Sequence, residues 1–250
     1  MISAGMIYDF IDSIAPFDTA MGFDNAGLLV GSRDTQSENV LCALDVTGSI
    51  IDEASRLGAK IIITHHPVIF DPLKKLESGS LVYRLASLGI TVISAHTNLD
   101  IAPGGVNDTL AEALGVITEE GTDGDCMLIG RLEEETDAKL FALRIRNTLG
   151  CSGIRYSERN GKISTVAVAC GAGGGSVFAA AGRRADAVVT GEIKHHEILF
   201  AHENNIAVFD TGHFRSEDLY INKLCSILGD HFQQARFLKA ENDTDPMKYL

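Results

Sequence analysis

The sequence predicts an α/β fold of two lobes, and three observations carry that prediction. Short β-branched runs such as Ile61-Ile62-Ile63 alternate with stretches of helical apolar spacing, which implies βαβ units and a parallel sheet. The pattern also echoes itself. Moving the chain by 126 positions aligns Val40 with Val166, Ala43 with Ala169, Gly48 with Gly174, Ala54 with Ala180, Ala59 with Ala185 and Thr64 with Thr190 without a gap. Biased composition is the competing explanation, but Ile62-Ile63 also falls on Val188-Val189. Finally, several strand-like runs end in polar clusters, and ligands of open α/β sheets lie at the carboxyl ends of strands.

Taken in order, Met1 to Pro16 reads as an amphipathic helix on Ile7, Phe10, Ile11 and Ile14, and the acidic Asp9 and Asp12 argue against a signal segment. Asp24-Asn25 starts a turn before a short apolar strand bracketed by Gly27 and Gly31, and these polar residues either serve a site or cap the turn. Strands follow at Val40–Val46, Lys60–Thr64 and Ile90–Ser94, with helices at Ser49–Leu57, Ser80–Leu88 and Asp108–Leu114. The Gly- and Asp-rich stretch Gly121–Asp125 marks the lobe boundary, giving a first lobe of residues 1–122 with 214–250 and a second of 123–213. Beyond it come a helix at Asp137–Leu149, a strand at Ser164–Cys170, a helix at Ile193–Glu203 and a strand at Ile206–Phe209. Ser216 is the expected N-cap of the last helix, with Glu217 in its first turn, and the tail from Ala240 to Leu250 is expected to be loosely held except at Pro246-Met247.

Composition excludes several classes. A net charge of −13 with only isolated basic doublets, Lys74-Lys75 and Arg183-Arg184, argues against a nucleic-acid surface. No apolar run approaches the length of about 18 residues that a membrane span needs. Five scattered cysteines without a C-x-x-C pair read as reduced thiols of a cytoplasmic protein.

The strand termini collect His65, His66, Asp100, His213 and Glu217, an imidazole and carboxylate set that suits Zn, Mn, Fe, Co or Ni rather than a cysteine-type zinc site. Side chains alternate along a strand, so His65 and His66 are expected to point to different sides and to serve two neighbouring ions. His96 is the candidate catalytic group, as a proton carrier or as a residue orienting a ligand, with an inert turn histidine as the other reading. His196-Glu197 begins a zincin motif that fails at Phe200. Gly171–Ser176 reads as a tight strand–helix turn more than as a phosphate loop.

Four segments, Asp24–Gly31, Ile63–Pro67, Ser94–Asp100 and Gly212–Glu217, together resemble the GTP cyclohydrolase type 2 homologue family, also called Nif-three-like or dinuclear metal centre proteins. The resemblance spans nearly the whole chain in the right order. It implies two interwoven α/β lobes with a site of two divalent cations per subunit between them. His65 and Asp100 would hold one ion, His66 and His213 the other, and Glu217 would bridge. It also implies a homohexamer and a metal-dependent hydrolase acting on a nucleotide or another small molecule. A non-catalytic metal-binding regulator or metal handler acting through protein partners is the alternative. The chain departs from the family at Phe23, where members often carry Trp, and at Phe214-Arg215-Ser216, where an aromatic–acidic pair is common. Neither departure touches an expected ligand.

Overall fold

The computed structural model describes residues 1–121, 126–248 and 250. In chain order its elements are β1 (Ile2–Ser3), α1 (Ala4–Ile14), β2 (Gly27–Val30), β3 (Gln36–Ser37), β4 (Asn39–Ala43), α2 (Gly48–Arg56), β5 (Ile61–Thr64), α3 (Leu81–Leu88), β6 (Thr91–Ser94), α4 (Thr97–Ile101) and α5 (Val106–Ala113). They continue with β7 (Val116–Gly121), β8 (Leu128–Thr136), α6 (Ala138–Leu149), β9 (Arg155–Tyr156), β10 (Ile163–Ala169), α7 (Val177–Gly182), β11 (Ala187–Thr190), α8 (His195–Glu203), β12 (Ala207–Asp210), α9 (His213–His231) and β13 (Arg236–Lys239). None of the described helices is long and apolar enough to cross a membrane.

One compact unit comprises Met1–Pro103 and Ile221–Thr244. Its main sheet runs β13-β4-β5-β6-β2, parallel except for the edge strand β2. β5 and β6 are buried along their whole length, as strands covered on both faces must be, and this is why they read as unbroken apolar runs. α2 and α3 cover one face, packing Ile50, Ile51, Ala54 and Leu85 against Leu41, Ile62 and Val92. Side-chain caps begin α1, α2 and α3: Ser3, Thr47 and Ser80 each accept an N–H of the first turn.

The other unit comprises Gly104–Tyr220 and Asp245–Leu250. Its sheet, β7-β8-β10-β11-β12-β9, is parallel only through β10, β11 and β12, and antiparallel strands flank that centre. The expectation of a simply parallel sheet therefore holds for the sheet centres and β13 and fails at β2, β7, β8 and β9. The echo is structural. β4 pairs β5 from Val40 opposite Ile61 to Ala43 opposite Thr64, and β10 pairs β11 from Val166 opposite Ala187 to Ala169 opposite Thr190, the same register 126 positions later. A third parallel strand completes each set, with Thr64 opposite Ser94 in one unit and Thr190 opposite Asp210 in the other.

The two compact units divide at 103/104, 220/221 and 244/245. β7 pairs with β8, and α5 lies against β7, β8 and β10, so residues 104–121 pack with the second unit. Of the boundary stretch Gly121–Asp125, residues 122–125 lie outside the described residues.

The first residues of the tail, 240–243, are better held than their polarity implied. β13 pairs with β4, and the buried Glu53 of α2 accepts the N–H groups of Glu241 (2.9 Å) and Asn242 (3.0 Å) and the Asn242 side-chain amide (2.8 Å). Asp243 then accepts the Leu44 N–H at 2.5 Å, just past β4. Burial pushes the Glu53 carboxyl up, but these donors outweigh it and hold it below the ordinary 4.5. Its stabilisation is therefore present at neutral pH and lost as pH falls below the unfolded value and through the folded one. Glu53→Gln should cost about 1–3 kcal/mol at pH 7 by setting an amide against an N–H donor. Urea unfolding checks this, and the gap to wild type should shrink at pH 4.

Candidate metal centre

In the first unit, β4, β5 and β6 end at one level, because Ala43, Thr64 and Ser94 are register partners. The segments just beyond them bring His65, His66 and His96 together, with ligand nitrogens within 4.8 Å of one another. The expected alternation of the histidine pair fails. His65 and His66 donate successive N–H groups to Ala43 O (3.2 Å) and Leu44 O (2.9 Å) of the same neighbour, which a pleated strand cannot do. The pleat has ended at Thr64, and the two rings turn toward each other with centroids 5.0 Å apart.

Each of these rings is held by its Nδ1. The His65 Nδ1–H donates to Ala95 O at 2.9 Å, that of His66 to Asp45 Oδ1 at 3.0 Å and that of His96 to Asp24 Oδ1 at 2.8 Å. An oxygen acceptor at Nδ1 fixes the proton there and makes Nε2 the ligating nitrogen. The Asp24 side chain is fully buried. Burial pushes its carboxyl up, but the His96 ring, the Thr97 hydroxyl and the Thr97 N–H outweigh it and bring it down to about 2. Asp24 is thus a fixed anion behind His96. Asp100 sits on the short helix α4, and its Oδ1 is 3.4 Å from His65 Nε2.

The second unit repeats the scheme with the parts exchanged. α9 begins at His213, three residues before the expected cap, so Ser216 lies within the helix and its hydroxyl donates back to His213 O at 2.7 Å. That start sets His213 and Glu217 four residues apart on one helical face, with Nε2 3.2 Å from Glu217 Oε2. The His213 Nδ1–H donates to Glu192 Oε1 at 2.7 Å. Glu192 stands where the 126-residue echo places His66, and Gly171 where it places Asp45. The glycines of the strand ends make room. A Cβ on Gly171 (φ +55°) would meet Glu217 Oε1 at 2.2 Å, and one on Gly191 would meet Ser216 Oγ at 2.6 Å. Gly171–Ser176 is accordingly a tight turn leading into α7.

The donor set fits divalent transition metals. An imidazole nitrogen and a carboxylate oxygen, each about 2.0–2.2 Å from one tetrahedral ion, are about 3.4 Å apart. The 3.4 Å of His65 and Asp100 and the 3.2 Å of His213 and Glu217 match that edge. Thr64 and Ser94, linked at 2.8 Å, and the buried Asn98, whose amide donates to Ala15 O at 2.7 Å, brace the first unit's termini. Asp45 escaped the sequence reading because one acidic residue after a strand carries no signal. Glu192 carries no sequence signal beyond its place in the echo. His195 and His196 are exposed at the start of α8, as ordinary solvated residues are.

Gly171→Ala should displace the Glu217 carboxylate and strain a left-handed backbone position, costing about 1–2 kcal/mol of stability. Metal uptake should fall more than tenfold while circular dichroism stays that of a folded protein.

The family described as Duf34/NIF3 (NGG1p interacting factor 3) matches residues 2–246. A protein of Clostridium perfringens named GTP cyclohydrolase 1 type 2 homolog is 32% identical over 258 residues, spanning 98% of each chain. A hypothetical protein of Staphylococcus aureus superposes with a TM-score of 0.89 at 26% identity, over 99% of each chain. The Bacillus cereus protein related to NIF3 shares the fold, with a TM-score of 0.88 at 24% identity over 100% of this chain and 99% of its own. With its full-length match to the family and a 32% identical relative, the chain belongs to the Duf34/NIF3 family.

Proposed function

We propose that this protein is a hydrolase in which His65 and Asp100 would hold one divalent cation, His66 and His213 would hold a second, and Glu217 would serve both. The observation that carries this reading is the paired geometry. In each unit a histidine fixed at Nδ1 sets Nε2 3.2–3.4 Å from a buried carboxylate. Bound divalent cations supply Lewis acidity and lower the pKa of water. The chain's own residues do the rest. Ala95 O, Asp45 and Glu192 orient the ligand rings, and His96 moves a proton at Nε2 while ionised Asp24 fixes its other nitrogen. The reaction class is nucleotide ring opening or a related hydrolysis, in keeping with the name of the Clostridium perfringens relative.

The closeness of His65, His66 and His96 favours a variant of this reading in which His96 ligates instead of moving protons. The family's description as an interacting factor favours a metal-binding regulator that works through partners. Exposed Phe178 and Leu199, on α7 and α8, support assembly into the expected homohexamer. Five free thiols suit the cytoplasm.

Glu217→Gln removes the bridging charge and should leave at most one metal per subunit. Asp100→Asn should weaken one site about tenfold or more and spare the other. Elemental analysis of dialysed proteins reads both outcomes, and two retained equivalents in the Glu217 variant would overturn the bridge. His96→Asn should abolish turnover of a nucleotide panel with metal content unchanged, whereas loss of metal would assign His96 as a ligand. Light scattering at micromolar concentration should report a hexamer.

A further inference from the structure

Two phenylalanines at the first unit's polar terminus stay in water. Phe23 is 61% exposed and Phe70 48% exposed, an unusual disposition for large aromatic side chains. Both belong to segments already tied into the cluster of histidines. Phe23 directly precedes Asp24, whose carboxylate accepts from His96 Nδ1 at 2.8 Å and from the Thr97 N–H at 3.0 Å. Phe70 lies four residues after His66, and the Asn25 side-chain amide donates to Ile69 O at 2.6 Å, fastening the two segments to each other. The rings stand 6.4 Å apart, centroid to centroid, at an interplanar angle of 40°.

That spacing is near the outer limit for an aromatic pair, so mutual packing does not account for the placement. The Asp24, Asn25 and Ile69 bonds fasten the two segments that carry the rings, and both side chains remain largely exposed. An aromatic face favours a flat, electron-poor ring laid against it, because the negative quadrupole of the face is complementary to such a ring and both lose apolar contact with water. A free phosphate gains little from such a surface, and a sugar or an aliphatic chain lacks the π face that stacks on it.

We infer that Phe23 and Phe70 form a stacking platform that recognises a planar heteroaromatic substrate, such as a nucleobase, and presents it to the histidines. The inference rests on the proposed reading of the histidines as the reaction centre. It adds the residues that select the substrate. Stacking needs no cation, so the platform can be tested apart from the metals.

The probes are guanosine, adenosine and cytidine 5′-monophosphates against ribose 5-phosphate, titrated into metal-stripped full-length protein, with saturation-transfer NMR to show which ligand protons touch the protein. At least one nucleotide should bind about tenfold or more tightly than ribose 5-phosphate, with transfer strongest at its base protons. Phe23→Ala and Phe70→Ala should each remove about fivefold or more of that gain with folding unchanged by circular dichroism. Phe23→Trp, which enlarges the ring, should keep or strengthen it. No nucleotide preferred over ribose 5-phosphate, or alanine variants that bind as wild type does, would overturn the platform. Metal content measured separately on the reloaded protein separates the two ideas. Base stacking without metal uptake would sink the metal reading and leave the platform standing. Full uptake without stacking would do the reverse.

Discussion

The candidate centre depends on parallel register. In each unit three adjacent strands are paired so that their last residues stand level: Ala43, Thr64 and Ser94 in one, Ala169, Thr190 and Asp210 in the other. A slip of a single residue in the ladder would carry every side chain to the opposite face of the sheet. The apolar runs therefore fix where the polar residues beyond them begin. His65, Ala95, Gly191 and Thr211 are each the first residue past such a strand.

Backbone order alone does not make ligands of histidines. Each candidate ring is held by an oxygen from a different segment: Ala95 O for His65, Asp45 for His66, Asp24 for His96 and Glu192 for His213. These bonds decide the tautomer and the ring direction, and they spare a bound cation the entropy of ordering its own ligands. The clamp of Glu53 on Glu241 and Asn242 belongs to the same economy. It holds the tail that places Asp243 against Leu44, next to Asp45.

The duplicated strand–helix–strand has diverged in chemistry while keeping its register. Where one unit has Asp45 and His66, the other has Gly171 and Glu192 at the echoed positions. In the first, the second residue past the middle strand carries the imidazole, and the segment past the neighbouring strand β4 carries the carboxylate. In the second, that position carries the carboxylate, and the imidazole comes from the start of α9. Gly171 and Gly191 are what let that helix approach, since any side chain there would occupy the space of Glu217 or Ser216.

By itself the sequence determined the α/β class, the strand–helix order of both sheet centres and the segments that carry the candidate ligands. Those features follow from local periodicity and from residue types that a short window contains. The strands β7, β8, β9 and β13, at or next to the sheet edges, were not legible, because a peripheral strand is specified by its partner more than by its own residues. The start of α9 was missed for a related reason. Ser216 has the chemistry of a cap, but Gly171 N–H and His213 O claim its hydroxyl inside the helix. The direction of the His65 and His66 rings likewise depended on where pairing with β4 stops, which alternation within the strand cannot show. Asp45 and Glu192 became meaningful only when folding brought a histidine within 3.0 Å and 2.7 Å of them. Tertiary structure alone decides such pairs, because a hydrogen bond depends on distance and direction between groups 21 residues apart in each case, and chain order constrains neither.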